Sequence, residues 1–371
     1  MSPMTTTTAS RRSGPSLLLL CGALVLSAPL GGIALAQIGS TLAEEVSRTP
    51  AVSAEQKAAI GRLIADNTAG LSADSAGIRR ARNALVAPLR VGRVSSAFRL
   101  EYATQLLPVV RPLAASDKPD VAVNAVRLAG ELGTRSGMDL LEAALKDKRP
   151  EVRVMAAMGF ARAFNTAREG STPLIPAQTD PAIAALASAL GTENDPAVLD
   201  ALFSALQIAA KVTDESIPGL RTRAVEEIGS QASSLAQRAK PEQDSVLLRA
   251  TKALFDELGD VGNRPSPLAI KNAGAAAGDS TALILRRLSG DLPAESRAEL
   301  GLLGDQASRL YFVAAQRSGA SGAAQLKIGD AVRDPGTGGG SVAELNREAA
   351  RLFEALTQAP FSLPADRFNK K

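Results

Sequence analysis

The sequence has no histidine and no tryptophan, and its single cysteine is Cys21. Without histidine the chain cannot form a Ser-His-Asp triad, a histidine general base or any metal site that needs an imidazole ligand. Cys21 lies in an N-terminal segment that we expect to be removed, so the mature chain would have neither a disulfide nor a thiol nucleophile. Composition therefore excludes most of the common catalytic arrangements.

The catalytic candidates that remain are Ser-Lys pairs and carboxylates. The sequence contains no Gly-x-Ser-x-Gly, Ser-x-x-Lys or Asp-rich calcium-loop motif. Its clustered carboxylates are neighbours on predicted helices, where adjacent side chains point in different directions. They are Glu226, Glu227, Asp256, Glu257 and Asp260. We interpret these groups as solvent-exposed faces, and we predict a noncatalytic protein that uses no cofactor and no metal.

Aromatic residues are also scarce, at 3% of a chain that is 45% hydrophobic, so Ala, Leu and Val carry the apolar mass. Such a composition favours closely packed helices over a β-sandwich or barrel, and no alternating strand pattern is present. Several aromatic side chains lie at helical spacing among apolar residues, and we expect them to fill the core. They are Phe98, Tyr102, Phe160, Phe164, Phe203 and Phe255.

The charges are nearly balanced, with 42 basic against 38 acidic residues. Without Arg11 and Arg12 of the leader the count is 40 against 38, which is too even for a dedicated nucleic-acid binder. The stretch between Asp74 and Glu101 is the exception, because it has arginines and no acidic residue. These are Arg79, Arg80, Arg82, Arg90, Arg93 and Arg99. The stretch either faces an anionic partner or covers neighbouring helices and pairs with distant carboxylates.

Residues 1–36 have the order of a bacterial secretory signal. A polar start and two arginines precede the apolar run Leu17–Leu26, and Ala34-Leu35-Ala36 provides small residues for cleavage. We expect export to the periplasm or the medium, with tethering by an uncleaved leader or by a lipidated Cys21 as alternatives. No later stretch is apolar enough for a transmembrane helix in the mature chain.

One helical pattern recurs along the middle of the chain. The segments aligned on Val121, Val152, Val198 and Leu247 each place apolar or small residues on one helix face. Between the first two, a shorter apolar pattern that includes Met138 and Leu141 predicts a partner helix. Repeated helix pairs of this kind indicate an array in which each hairpin packs against its neighbours.

The segment Asp147-Lys-Arg-Pro-Glu-Val-Arg-Val-Met-Ala resembles HEAT repeats, and in particular the shorter HEAT-like form found in phycobilisome lyases. The resemblance covers residues 117–259 and implies that Asp147 and Arg153 tie neighbouring repeats together. Other units depart from the pattern, since Ala122, Leu199 and Leu248 replace the arginine. The motif is structural in that family and implies no catalytic residue.

The predicted fold is all-α, a right-handed α-solenoid-like array of irregular HEAT-like hairpins with helical caps. We divide the chain into a signal peptide (1–36), an Arg-rich helical cap (37–115), HEAT-like repeats (116–262), a C-terminal helical region (263–330) and a last segment (331–371). The last segment contains a Gly-rich linker, a final helix and a loose tail. We also expect Pro112 to end a helix, residues 165–180 to form a surface loop, and Asp180 and Asp195 to cap helices.

These features predict an exported, noncatalytic scaffold that binds an unknown protein partner in the cell envelope. An alternative is an envelope module that binds an anionic polymer or lipid through Arg79 to Arg99. The repeat resemblance suggests a lyase-like enzyme as a further alternative, which the lack of histidine and mature cysteine disfavours. We predict no nucleic-acid partner.

Overall fold

The computed structural model describes residues 44–170, 172–262, 264–289, 292–320, 323–333 and 342–368. The leader with Cys21 and the Gly-rich run 334–341 lie outside the described residues. Within the described ranges the protein is all-α and contains no strand, which confirms the predicted class.

Fourteen α-helices follow one another in the described residues, besides a helical stretch at 44–48. They are α1 (Ala54–Thr68), α2 (Ser75–Val86), α3 (Ser96–Ala114), α4 (Pro119–Leu132), α5 (Arg135–Ala144), α6 (Pro150–Arg168), α7 (Pro176–Thr192), α8 (Pro196–Ala210), α9 (Leu220–Arg238), α10 (Asp244–Gly259), α11 (Pro267–Leu288), α12 (Ala294–Arg317), α13 (Ile328–Arg333) and α14 (Val342–Thr357).

Consecutive helices pair as hairpins, from α1/α2 to α11/α12, and each helix also packs against the second helix after it. Two layers result, because the odd-numbered helices α1 to α11 form one and the even-numbered helices α2 to α12 form the other. Helix α13 packs on α12, and α14 packs on α11 and α13. This stack is the predicted solenoid-like array, and the hairpin α11/α12 continues it beyond residue 262.

Most of these helices begin where the local sequence provides a cap. Ser53 and Gln56 form a reciprocal capping box at α1, with Gln56 N donating to Ser53 Oγ over 3.3 Å. At α8 the Asp195 carboxylate accepts from the backbone N–H groups of Ala197 and Val198, as expected for this residue. Side-chain caps stand at Ser53, Asp74, Ser95, Asp195 and Ser266, and proline opens the helices at Pro119, Pro150, Pro176, Pro196 and Pro267.

Helix α3 does not end at Pro112, so that prediction is wrong. The helix contains both Pro108 and Pro112 and continues to Ala114. Each proline leaves the carbonyl group four residues earlier without its helical donor. Both prolines are exposed. Water can therefore hydrogen bond to the freed carbonyl groups, and the helix continues.

The loop predicted for residues 165–180 is also wrong, because most of this stretch is helical. Helix α6 extends to Arg168 and α7 starts at Pro176, with Pro181 inside it. Pro176 rather than Pro181 takes the first helical position, so Asp180 is not a cap. Its carboxylate pairs with Arg223. Thr179 is buried in the first turn of α7, and this burial favours the earlier helix start.

The tail predicted to be loose packs against the last hairpin over residues 361–368. Phe361, Leu363 and Phe368 are buried, and the rings of Phe361 and Phe368 contact α11 at Gly274 and Gly278. Any side chain larger than the hydrogen atom of glycine at these two positions would overlap with the rings. The absence of helical periodicity in the tail hid this packing from sequence reasoning.

An ion pair holds the same tail in place. Arg367 Nη2 lies 2.8 Å from the buried Asp279 Oδ2, which also accepts from Ser233 Oγ over 2.6 Å. Gln237 Nε2 also donates to this oxygen over 3.1 Å, so the buried carboxylate has several hydrogen-bond donors. The tail therefore connects α9 and α11 at the end of the stack.

Helices α4 and α6 approach each other closely where Gly130 faces Gly159. A Cβ atom placed on Gly130 of α4 would lie 2.5 Å from the Cα atom of Gly159 in α6. Helices with a glycine at each side of the contact can approach more closely than helices with larger residues there. This contact sets the distance between the side chains on the outer face of α4 and those on the outer face of α6.

We expect Gly130→Ala to lower the free energy of unfolding by about 1–3 kcal/mol, because the added methyl group has backbone as its nearest neighbour. Thermal or denaturant unfolding monitored by circular dichroism measures this change. Gly191→Ala in α7 is the matched control, since a Cβ atom there meets nothing within 4 Å. Alanine should leave stability unchanged or raise it by up to about 1 kcal/mol at that position. Equal melting of the two variants would contradict the close approach.

Candidate functional site

A groove of about 870 Å³ runs over the outer surface of the even-numbered layer. Its walls come from α4, α6 and α8, which belong to three successive hairpins, and from the loop between α2 and α3. No single hairpin could form this groove. We call it the arginine groove, after the four arginines that line it, which are Arg90, Arg93, Arg99 and Arg162.

Three guanidinium groups converge on one carboxylate at the α2–α3 end of the groove. The Glu131 Oε1 atom lies 3.3 Å from Arg90 Nη2, 3.7 Å from Arg127 Nε and 3.2 Å from Arg162 Nε. The Glu131 side chain is only 12% exposed. Three positive charges against one negative charge leave an excess of two positive charges. We call these four residues the Glu131 cluster.

The Glu131 cluster is electrostatically crowded. Burial lowers the pKa of Arg162, and repulsion from Arg127, Arg90 and Arg82 lowers it further, while Glu131 acts in the opposite direction. Arg82 stands beside the cluster, and its pKa is lowered by burial and by Arg127 and Arg90. An additional anion at this position would relieve the mutual repulsion of the arginines.

Arg99 lines the groove but has a structural task. Its side chain is buried, and its Nη1 donates to the backbone carbonyl oxygens of Glu131 and Leu132 over 3.1 and 3.2 Å. These carbonyls end α4, where a positive charge is favourable. Burial lowers the Arg99 pKa to about 10, which leaves the side chain charged at neutral pH. Its Nε is buried and has no hydrogen-bond partner among the described residues.

The loop that carries Arg90 and Arg93 is anchored and strained. Arg93 has a φ of 64°, in the left-handed region that non-glycine residues rarely adopt. Ser95 N donates to Ser47 O over 2.7 Å, and Arg48 Nε donates to Gly92 O over 3.2 Å. Tertiary hydrogen bonds thus hold the loop in a conformation that costs about 1–3 kcal/mol locally.

The other end of the groove is apolar and nearly neutral. Met158 on α6 is 41% exposed, and four further apolar side chains lie around it. They are Val154, Ala161, Ala201 and Ile208. Asp200 on α8 also lines the groove and pairs with Arg249 over 2.6 Å. Glu169 lies beyond Arg162 in the chain, accepts from Asn165 over 2.7 Å, and its charge acts on Arg99, where it opposes the lowering of the pKa by burial. The groove is therefore positive at one end and apolar at the other.

The arginines singled out from the sequence have different positions. Arg79 and Arg80 are exposed on α2 and do not line the groove, Arg82 stands beside the cluster, and Arg90, Arg93 and Arg99 line the groove. Whether they face an anionic partner stays a prediction. Sequence reasoning missed Arg127 and Arg162, which belong to helices recognised only as apolar repeats. The sequence feature that could have found them is the repeat alignment, because it predicts that α4 and α6 are neighbours and that their side chains meet.

The residues Asp147 and Arg153 join repeats in a way that differs from the family pattern. Arg153 Nη1 donates to the backbone carbonyl of Asp147 over 2.9 Å, while the Asp147 carboxylate pairs with Arg149 over 2.8 Å. Arg153 also forms a two-pronged contact with Glu193, at 2.7 and 3.1 Å. Glu193 follows α7 and thus belongs to the next hairpin.

The Glu193 carboxylate is held in its charged form by these contacts. Burial by itself raises the pKa of Glu193, but hydrogen bonds from Arg153 and from the backbone N–H groups of Asp195 and Asn194 outweigh it and lower the pKa. The bridge between hairpins α5/α6 and α7/α8 is therefore formed by Arg153 and Glu193.

One of the carboxylates interpreted as solvent-exposed is not exposed. Glu257 is 4% exposed, and burial raises its pKa although Arg221 lies 3.4 Å away. It sits on the inner face of α10, where the helix contacts α9. In the described part of the chain, no group of three or more Asp, Glu, Cys or His side chains is arranged to hold a metal ion. None of the described helices combines the length and the apolar character that crossing a bilayer requires.

Three solved structures show what the chain is similar to. An engineered protein shares 18% sequence identity over 68% of this chain and 97% of its own, with a TM-score of 0.36. Importin beta shares 16% identity over 86% of this chain and 40% of its own, with a TM-score of 0.46. A designed armadillo repeat protein shares 16% identity over 67% of this chain and 98% of its own, with a TM-score of 0.26.

No protein-family model and no curated protein matches the chain. The architecture, a stack of HEAT-like helical hairpins, therefore rests on the helix packing described above. The arginine groove is a property of this chain's own residues.

We expect Arg99→Met to lower the free energy of unfolding by about 1–3 kcal/mol, because the carbonyl groups of Glu131 and Leu132 lose their donor. Arg80→Met is the control, since Arg80 is exposed on α2 and its loss should change stability by less than about 0.5 kcal/mol. Urea unfolding of both variants measures the difference. Equal stability of Arg99→Met and the parent would show that Arg99 does not support α4.

Proposed function

We propose that the protein is a noncatalytic scaffold that binds a protein partner in the cell envelope, and that the arginine groove is its binding surface. The observation that carries this proposal is the composition of the groove, an apolar area around Met158 beside an excess of positive charge at Glu131. Arginine and methionine are enriched where proteins bind one another. Stacked helical repeats commonly bind partners along such a surface.

The noncatalytic part of the proposal is supported by composition. The chain has no histidine, and its cysteine lies in the predicted leader. The narrower resemblance to the HEAT-like form of phycobilisome lyases adds no residue to the proposal, because the shared motif is structural. A binding scaffold needs only a shaped surface, which the arginine groove provides.

An anionic polymer or lipid is a second candidate partner, and the excess charge of the Glu131 cluster is the observation in its favour. The apolar end of the groove argues against an anionic polymer, because a glycan or a phosphate chain would leave it unused. The two candidates differ in what should be found next to Met158.

Photo-crosslinking in intact cells tests the proposed partner class. A benzophenone amino acid at Met158 should form a discrete crosslinked protein band, whereas the same group at Leu302 on α12, which is 52% exposed, should not. The bands would be identified by mass spectrometry. Equal crosslinking from both positions, or crosslinking from Met158 to lipid or glycan alone, would contradict a protein-binding groove.

Location in the cell envelope is part of the same proposal, and the leader pattern in residues 1–36 supports it. We expect the protein from an envelope fraction to begin at Gln37, after the Ala34-Leu35-Ala36 site. N-terminal sequencing of the purified chain measures this directly. A chain that keeps its leader and stays in the cytoplasmic fraction would show that the protein is not exported.

A further inference from the structure

We propose that the Glu131 cluster is a binding site for an Asp or Glu side chain of an acidic and apolar peptide segment, and that Glu131 is an internal carboxylate occupying this site in the free protein. The inference rests on the proposed function and goes further, because it names the chemistry of the partner and a residue that regulates binding. The supporting observations are the mismatch of donors and acceptors, the conformation of the Arg93 loop and the apolar end of the groove.

The donors around Glu131 exceed what one carboxylate can satisfy. Arg90, Arg127 and Arg162 each carry five N–H donors, whereas a carboxylate offers about four acceptor positions. All three contacts fall on the same oxygen, Oε1. Arg90 and Arg162 line the groove, and the Arg90 side chain is 60% exposed. A second carboxylate in the groove can therefore reach N–H groups of these two arginines that Glu131 does not occupy.

The loop conformation is consistent with a site organised before the ligand arrives. Arg93 is exposed, lines the groove and keeps a φ of 64°, although a non-glycine residue is strained there. Asn and Gly adopt this conformation more easily than Arg. The turn alone would favour Asn or Gly, so the positive charge of Arg93 explains why an arginine occupies this strained position.

The remainder of the groove selects the rest of the ligand. Beyond the cluster and Arg93, the groove is lined by the apolar side chains of Met158, Ala201 and Ile208, and Asp200 is already paired with Arg249. A polyanion would meet positive charge only at one end. A peptide whose acidic residue lies next to apolar residues would match both ends of the groove.

Binding of a labelled synthetic peptide of alternating Glu and Leu to the full-length protein tests the inference, with fluorescence anisotropy as the readout. The same peptide with Gln in place of Glu and vesicles containing phosphatidylglycerol are the comparison ligands. We expect the Glu-Leu peptide to bind, and the affinity to fall as salt is raised, because exposed charges are screened over about 8 Å at physiological ionic strength.

Three variants separate the roles of the residues. Glu131→Gln should bind the peptide about tenfold more tightly, since it removes the internal competitor, and Arg93→Asn should bind about tenfold more weakly, since the groove loses an exposed guanidinium that can donate to a further Glu of the peptide. Asn tolerates the left-handed conformation, so Arg93→Asn should melt no lower than the parent. The double variant Arg79→Gln/Arg80→Gln carries a larger charge change outside the groove and should bind as the parent does.

Each contrary result overturns the inference. Weaker binding by Glu131→Gln would mean that Glu131 positions the arginines instead of occupying the site. Equal losses in Arg93→Asn and in the double variant would indicate a diffuse effect of charge. Binding of vesicles but not of the Glu-Leu peptide would make the cluster a lipid site. A protein crosslinked at Met158 together with no binding of the Glu-Leu peptide would preserve the scaffold and reject the acidic ligand.

Discussion

Each hairpin of this protein can bury its apolar face only against the neighbouring hairpins, and the rest of the structure depends on that constraint. The chain meets it with small residues, so that helices of one layer approach closely, as α4 and α6 do at Gly130 and Gly159. The stabilising free energy of the hydrophobic effect is roughly proportional to the apolar area removed from water. Close approach of the helices increases that area and so compensates for the lack of large aromatic side chains. The groove is a consequence, since the same contact brings the outer faces of α4 and α6 together beside Glu131.

Arginine has a second role in the stack, which explains how a nearly neutral chain can contain an Arg-rich stretch. Several guanidinium groups donate across hairpins to carbonyl groups near helix ends, where a positive charge is favourable. Arg238 Nη1 reaches Glu193 O over 2.9 Å, and Arg287 Nη2 reaches Ala239 O over 2.6 Å. Arg99 makes the same kind of contact within the hairpin α3/α4. The arginines at Glu131 are different, because they share one carboxylate and two of them, Arg90 and Arg162, line the groove.

The errors of the sequence-based predictions have a common cause. Pro112, Pro181 and the tail after Pro360 were interpreted from local rules, which treat proline as the end or the first residue of a helix and aperiodic sequence as loose. In the structure, α3 continues through two exposed prolines, and the tail is held by Phe361, Phe368 and Arg367 against α11. Contacts between residues far apart in sequence override the local rule in each case. The cap at Asp195 was predicted correctly because a cap involves only neighbouring residues.

The sequence by itself determined the helical class, the hairpin repeat and most helix starts, because apolar periodicity and capping act over a few residues. It also marked Arg90 and Arg93 as part of an unusual run of positive charge. Only the tertiary structure decided that Arg99 supports α4, that Arg79 and Arg80 lie outside the groove, and that Arg127 and Arg162 join Glu131. The physical reason is that an arginine's surroundings depend on how neighbouring hairpins stack, and no local pattern encodes that geometry.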